Sequence, residues 1–280
     1  MQSPAPNLDQ VTYWNQAAAP AWVELNEDLD RQIAPLGAAT LAALAPRPGE
    51  RIVDIGCGCG QSALALAEAV GPTGRVVGVD ISAPMLAVAR RRAEAAAAGN
   101  LTFLEADAQV RAFEPGGADA AYSRFGVMFF DDPAAAFANI RKALKPGGRI
   151  AFLCWRALAE NPWMTVPMSA GLKHLPPRPP PVADGPGPFA FADGARLRGL
   201  LAAAGFADIE VKAHDQKLRN DPAATFRTAM RVGPLGAMLR ETPDARERVE
   251  ADVRAAILEH LQDGQVTMDS ATWIVTARNP

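Results

Sequence analysis

The sequence predicts an α/β protein in which a largely parallel sheet is wrapped by helices, and three observations carry that expectation. Residues 51–55 (RIVDI) are dominated by β-branched apolar residues, as a strand buried on both faces requires. Glycines then alternate at Gly56, Gly58 and Gly60, and Leu64, Leu66, Ala67 and Val70 follow at helical spacing. Further buried-strand patterns at 75–82, 101–109, 119–125 and 145–155 alternate with helical stretches, the signature of βαβ units.

Bulk properties narrow the function. A chain of 280 residues is long enough for a full α/β domain and a substantial addition. It is 49% hydrophobic and 21% charged with a net charge of −3, an ordinary soluble balance. Lys and Arg form no dense block, which argues against nucleic acid as a partner. Three cysteines make no disulfide framework, and Cys57-x-Cys59 has no second Cys/His cluster to complete a metal site. The first ten residues lack the basic and apolar regions of a signal peptide, and no apolar run approaches a membrane span. The expectation is a cytoplasmic protein with no membrane association and no metal; a homodimer is left open.

The glycine loop is the informative stretch. Strand, glycine turn and helix bring backbone close to a ligand and offer free N–H donors at a helix N-terminus. A dinucleotide fingerprint, G-x-G-x-x-G, needs its third glycine at 61, where this chain has Gln61. Asp54 lies two residues before the first glycine, where it opposes a pyrophosphate and suits a ligand with a positive amino group.

Together with the later strands this loop resembles motif I of the class I S-adenosylmethionine (SAM)-dependent methyltransferases, and within them the ubiquinone/menaquinone-biosynthesis type of small-molecule enzyme. The resemblance covers residues 50–155 well and 193–213 moderately. It implies a Rossmann-like seven-stranded sheet, mostly parallel with an antiparallel last strand. It also implies SAM as cofactor and S-adenosylhomocysteine as product. Cofactor contacts are implied for Asp54, Gly56, Cys57, Gly58, Gly60 and Ile81, for Asp80 on the ribose hydroxyls, and for Met85 near the adenine. Asp107 and the Ala108 N–H are implied to reach the adenine edge, and Ser123 and Arg124 to lie beside the transferring methyl.

In chain order, residues 1–45 read as an N-terminal helical cap in which Trp14 is a candidate pocket wall and one helix runs from Pro20 through Trp22, Leu25, Leu29 and Ile33. Residues 46–156 form the cofactor-binding core. Ser82 and Asp132 are expected helix caps, and Arg90, Arg91 and Arg92 a solvated face. Residues 157–192 are rich in Pro and Gly and read as a loop-like lid carrying Trp163 and His174. The core resumes at 193–213 behind an Asp193 cap, with a short strand at 209–211. A helical substrate cap fills 214–264, and residues 265–280 hold the last strand, at 273–277.

Methyl transfer from a sulfonium is an in-line displacement, for which orientation and water exclusion contribute up to ~7–11 kcal/mol in intramolecular models. A base is needed only where the acceptor loses a proton as it attacks. His174 in the lid is the first candidate and Tyr13 the second. Trp14, Phe125, Arg124, Trp155, Trp163 and Arg231 are the expected substrate contacts. They suggest a small, partly apolar acceptor, aromatic or anionic, methylated at O, N or C. Arg124, with the cofactor's carboxylate and Asp131 or Asp132 as alternative partners, and Arg156 and Arg231 carry the anionic hint. The competing readings are a non-catalytic SAM-binding protein and an NAD(P)-dependent oxidoreductase.

Overall fold

The computed structural model describes residues 7–177 and 185–280. Five parallel strands form the centre of the sheet: β1 (Arg51–Ile55), β2 (Arg75–Asp80), β3 (Leu101–Glu105), β4 (Ala118–Arg124) and β5 (Leu144–Trp155). β6 (Ala207–Asn220), the two-residue β7 (Leu261–Gln262) and β8 (Gln265–Arg278) complete it, with β8 antiparallel to both β5 and β6. The order is β3-β2-β1-β4-β5-β8-β6, with β7 attached to β8. Chain direction across the sheet reverses between β1 and β4, so the loops leaving these two strands open the crevice where ligands bind in such sheets.

The strands form where the sequence supplies apolar residues to both faces. In β4, Ala121 packs into one core cluster while its neighbours Ala120 and Tyr122 pack into another. One face is covered by α3 (Asn26–Leu44), α4 (Gln61–Val70) and α5 (Ala83–Ala95), which bury Leu44, Leu66 and Leu86. The other is covered by α6 (Pro133–Ala143), through Phe137 and Ile140, and by α8 (Gly194–Ala203), through Leu197 and Leu201. Ahead of α3 the chain forms α1 (Leu8–Thr12), a π-helical turn (Tyr13–Ala17) and α2 (Ala19–Glu24). Helices α7 (Pro162–Leu172), α9 (Pro222–Ala229), α10 (Gly233–Glu241) and α11 (Arg246–Leu258) form a cap with its own core of Leu235, Leu239, Val249, Val253 and Ile257 against Val266 and Met268 of β8.

The expected helix starts are present. Ser82 accepts from the Met85 N–H (3.5 Å), Asp132 from Ala135 (2.9 Å) and Asp193 from Ala195 (2.8 Å). Three expectations are corrected. The helix from Pro20 breaks at Leu25 into α2 and α3, because Leu25 leaves the helical conformation at φ −97°, ψ 14°. The lid contains a helix, α7, whose apolar residues face inward on several sides, so no stripe marked it; Pro167 removes only one of its N–H donors. β6 and β8 are each 14 residues long, and β6 takes residues 214–220 out of the expected helical cap. β6 is an edge strand that alternates half-buried and exposed residues, such as Lys212 and Lys217, so it lacks an apolar run. Residues 178–184 of the proline-rich lid and residues 1–6 of the N-terminal cap lie outside the described residues. Among the described residues no helix is long and apolar enough to cross a membrane.

Candidate functional site

The loop from β1 to α4 folds tightly because the Gly56 and Cys57 N–H groups both donate to the Val79 carbonyl (2.8 and 3.1 Å), tying it to the end of β2. Gly56 has φ 66°, and a side-chain carbon there would meet Gly126 Cα at 2.7 Å, so the loops after β1 and β4 touch through glycine alone. Gly58 differs. At φ 53° its side-chain carbon would meet only Met85 Sδ, at 3.9 Å, so glycine here keeps open the space above the loop. Burial pushes the thiols of Cys57 and Cys59 up, Cys59 to about 12, so both stay protonated at neutral pH and fill the turn as small apolar groups.

Three carboxylates surround this loop. Asp54 is fully buried; its Oδ2 accepts from Ser62 Oγ (2.6 Å) and its Oδ1 has no hydrogen-bond partner. Burial raises its pKa to about 7, against the opposing effects of the Ser62 hydroxyl and the Arg124 charge. Asp80 is held by backbone: Gly58 N–H donates to Oδ2 and Ser82 N–H to Oδ1, both at 2.8 Å. Burial raises its pKa too, opposed by the N–H groups of Ser82, Gly58 and Ile81. Asp107 accepts from the Gln109 N–H (2.8 Å) and Asn7 Nδ2 (3.3 Å) through Oδ1, while its buried Oδ2 has no partner. Two buried oxygens, on Asp54 and Asp107, thus await donors.

The N-terminal segment closes over these strand ends through contacts the sequence did not announce. Ser82 Oγ donates to the Trp14 carbonyl (2.8 Å), and Asn15 bridges to the Ile81 carbonyl (2.8 Å) and the Ala83 N–H (3.0 Å). Asn7 links Asp107 to the Asp131 N–H (3.0 Å). Trp14 is buried with Ala18 and Met85, its ring edge-on to Tyr13, Trp22 and Phe129; Ile81 packs against the same cluster. The only sequence signal for Asn15 was the short polar run 13–16, and Asn7 had none.

Arg124, leaving β4, pairs with Asp30 of α3 (2.8 Å) and Gln61 of α4 (2.6 Å), not with Asp131 or Asp132. Arg92 pairs with the other oxygen of Asp30 (2.7 Å) and with Asn26. Arg92 therefore points inward to clamp α3 over the glycine loop, a correction to its expected solvated place. Arg231 pairs with Glu24, and Arg156 with Asp215 (2.8 Å) and Glu160. All three arginines behind the anionic hint are matched by carboxylates of the chain itself.

Ser123 is buried, its hydroxyl accepting from the Gly126 N–H (3.2 Å) and shaping the turn after β4. Phe125 holds φ 65° there and stacks on Trp155 at 4.1 Å, which in turn contacts Trp163 at 5.0 Å. Phe125, Trp155 and Trp163 are thus brought together beside the ends of β4 and β5. Tyr13 sits in the Trp14 cluster, its hydroxyl 3.3 Å from Arg240 Nη2. His174 does not join them. It lies just beyond α7 with Nε2 2.9 Å from Asp252 of α11, and its contact lowers the Asp252 pKa. An open groove of about 1380 Å³ runs between α3, α4 and α5, but it descends to Arg75 and Asn100, at the opposite end of the sheet from the glycine loop.

Comparison with known proteins places this geometry. Residues 52–148 match the family model described as a methyltransferase domain. Over 259 residues the chain is 28% identical to nocamycin O-methyltransferase of Saccharothrix syringae, covering 87% of this chain and 90% of that protein. It is 43% identical over 104 residues to demethylmenaquinone methyltransferase of Thermus thermophilus, covering 37% of this chain and 46% of the relative. Apart from the nocamycin protein, it spans about a third to a half of the curated relatives it matches. A solved structure, Haemonchus contortus phosphoethanolamine N-methyltransferase 2 in complex with SAM, superposes with a TM-score of 0.55 at 22% identity, covering 88% of this chain and 52% of that one. That likeness is one of fold.

Proposed function

We propose that this chain carries a class I SAM-dependent methyltransferase domain and that the whole protein methylates a small, partly apolar metabolite, with oxygen the favoured acceptor atom. The single observation that carries the reading is the pair of buried, unpartnered carboxylate oxygens, Asp54 Oδ1 near the end of β1 and Asp107 Oδ2 just after β3. They fit a ligand that presents one cationic amine and one neutral amine. A pyrophosphate would meet only repulsion there. The overall similarity to nocamycin O-methyltransferase supports the choice of oxygen.

When bound, SAM supplies a methyl group activated on a positively charged sulfur. In this reading Asp54 would hold the α-ammonium, Asp80 the ribose hydroxyls, and Asp107 with Ala108 the adenine edge, with Ile81 and Met85 beside the ring. Gly56, Cys57, Gly58 and Gly60 supply the close-lying backbone. Ser123 and Arg124 shape the wall beside the methyl, and Arg124 acts through Asp30 and Gln61 by fixing α3 and α4. The acceptor lies against Trp14, Phe125, Trp155 and Trp163, whose rings exclude water and orient the attacking atom. Tyr13 is the base for acceptors that lose a proton, because it lies within the aromatic cluster while His174 is committed to Asp252. With a net charge of −3 and no described helix fit for a membrane, the cytoplasm and a small-molecule partner are the matching setting.

Titration calorimetry with SAM, S-adenosylhomocysteine and NADH tests the cofactor, and labelled-methyl transfer to a panel of hydroxylated metabolites tests the activity. Binding of the first two alone, with turnover of at least one acceptor, is the expected result. Binding of NADH alone refutes the reading, and SAM binding with no turnover on any acceptor leaves a non-catalytic SAM-binding protein.

A further inference from the structure

Three of the buried polar atoms without a hydrogen-bond partner lie together, away from the glycine loop. Gln32 Oε1 on α3, Trp163 Nε1 on α7 and Thr228 Oγ1 on α9 are each unpartnered, and all three residues line one small cavity of about 20 Å³. Gln32 is 5% exposed and Thr228 3%. The other walls are Met164, Pro167, Val232 and Leu235 with neighbouring small residues, and no charged side chain is among the described residues that line it. Leaving three buried polar groups unpaired costs ~1–3 kcal/mol each, which a packed cap tolerates only where something meets them.

The cavity's position says what. Trp163 contacts Trp155 at 5.0 Å, and Trp155 stacks on Phe125 at 4.1 Å, immediately after β4. A column of three aromatic rings thus runs from the strand end, where the acceptor atom must lie, to the cavity. The site is built from all three parts of the cap: the N-terminal helices, the lid helix and the helix that follows β6.

We propose that this cavity is the acceptor's anchoring subsite and that it takes a neutral hydroxyl, remote from the atom that is methylated. The inference rests on the methyltransferase reading and names its substrate class. The volume exceeds the ~10–15 Å³ that one water-sized group needs and leaves little more. The donor set is one N–H, one amide oxygen and one hydroxyl able to do either, which suits an O–H that donates to Gln32 and accepts from Trp163. A carboxylate or phosphate finds no cation there and would meet the Gln32 oxygen. The substrate is therefore a largely apolar body with a neutral hydroxyl at its far end, and not the anionic acceptor that the arginines suggested.

The test uses the full chain labelled with 5-fluorotryptophan, the Trp163 signal being assigned by Trp163→Phe, with phenol, benzoate and toluene as probes. Phenol should shift the Trp163 ¹⁹F signal saturably, benzoate should leave it unmoved at equal concentration, and toluene should bind about fivefold more weakly for want of the hydrogen bonds. Thr228→Val should weaken phenol about fivefold and Thr228→Ser should restore it. A signal that ignores phenol, or that responds equally to toluene or benzoate, overturns the proposal, as does Thr228→Val with phenol affinity within twofold of wild type; the cavity would then house a water. Should Thr228→Val fail to fold, the three probes on the wild-type chain still decide. S-adenosylhomocysteine calorimetry on the same sample separates the two readings. Nucleoside binding without a phenol response sinks this proposal alone, and its absence sinks the methyltransferase reading whatever Trp163 does.

Discussion

Replacing Asp54 by asparagine sets the stability of the free protein against its affinity for the cofactor. Asp54 is fully buried at the end of β1 with one oxygen unpaired, and burial lifts its pKa from 3.8 to about 7. The folded protein therefore holds this proton more tightly than the unfolded chain. The stability that follows is complete below pH about 4 and is lost as the pH climbs through about 7. Such a shift corresponds to ~4 kcal/mol, of which ~3 kcal/mol falls between pH 5 and pH 8. Asparagine keeps an oxygen for Ser62 and has no proton to lose. The ligand-free wild type should thus lose ~3 kcal/mol relative to Asp54→Asn between pH 5 and pH 8 in urea titrations. Asp80 is shifted in the same direction and its charge helps to raise Asp54, so the difference between the two curves reports Asp54 together with its coupling to Asp80. Binding goes the other way, because an ammonium group needs the carboxylate. Wild-type affinity for S-adenosylhomocysteine should fall about tenfold from pH 8 to pH 6 as the ionised fraction drops, with proton release visible in calorimetry. The variant should lose that dependence and most of the affinity. Stability curves that run parallel across the range, or a flat pH profile of wild-type binding, refute the reasoning.

The remaining predictions concern neighbouring groups. Asp107→Asn should cost ~1–3 kcal/mol of S-adenosylhomocysteine affinity but leave binding of the inosine analogue, which lacks the adenine amine, nearly unchanged; equal losses would remove Asp107 from the adenine edge. Asp30→Ala strands Arg124, whose side chain is 11% exposed, and should cost ~3–5 kcal/mol in urea titration, whereas a loss below ~1 kcal/mol would mean that water screens the pair. Tyr13→Phe should lower kcat by ~10² or more on a hydroxyl acceptor while His174→Ala leaves it within about twofold, and the reverse pattern would return the base to the lid.

The parts of this protein that were legible in the sequence are those fixed by local chemistry. β1, the alternating glycines and the helix after them follow from residues adjacent in the chain, and Ser82, Asp132 and Asp193 cap helices by reaching only two or three residues ahead. Asp80 and Asp107 could be placed because they end their own strands or closely follow them, and a strand end in such a sheet faces the crevice. What stayed hidden had no local signature. α7 is buried on several sides and shows no periodic stripe, and β6 gains its length from pairing twelve positions with β8, a partner that lies more than forty residues away in the chain.

Charge partners were the least legible of all. Arg124 and Arg231 read as free cations because their carboxylates come from Asp30 and Glu24, 94 and 207 positions distant, while Arg156 adds Asp215, 59 positions away, to its local partner Glu160. The sequence alone determined the five parallel strands, the glycine turn and the carboxylates that ring it, since short-range sterics and hydrogen bonding dictate them. Only the tertiary structure decided which charges are already spent on one another and where Gln32, Trp163 and Thr228 meet, because long-range packing alone brings such groups within bonding distance.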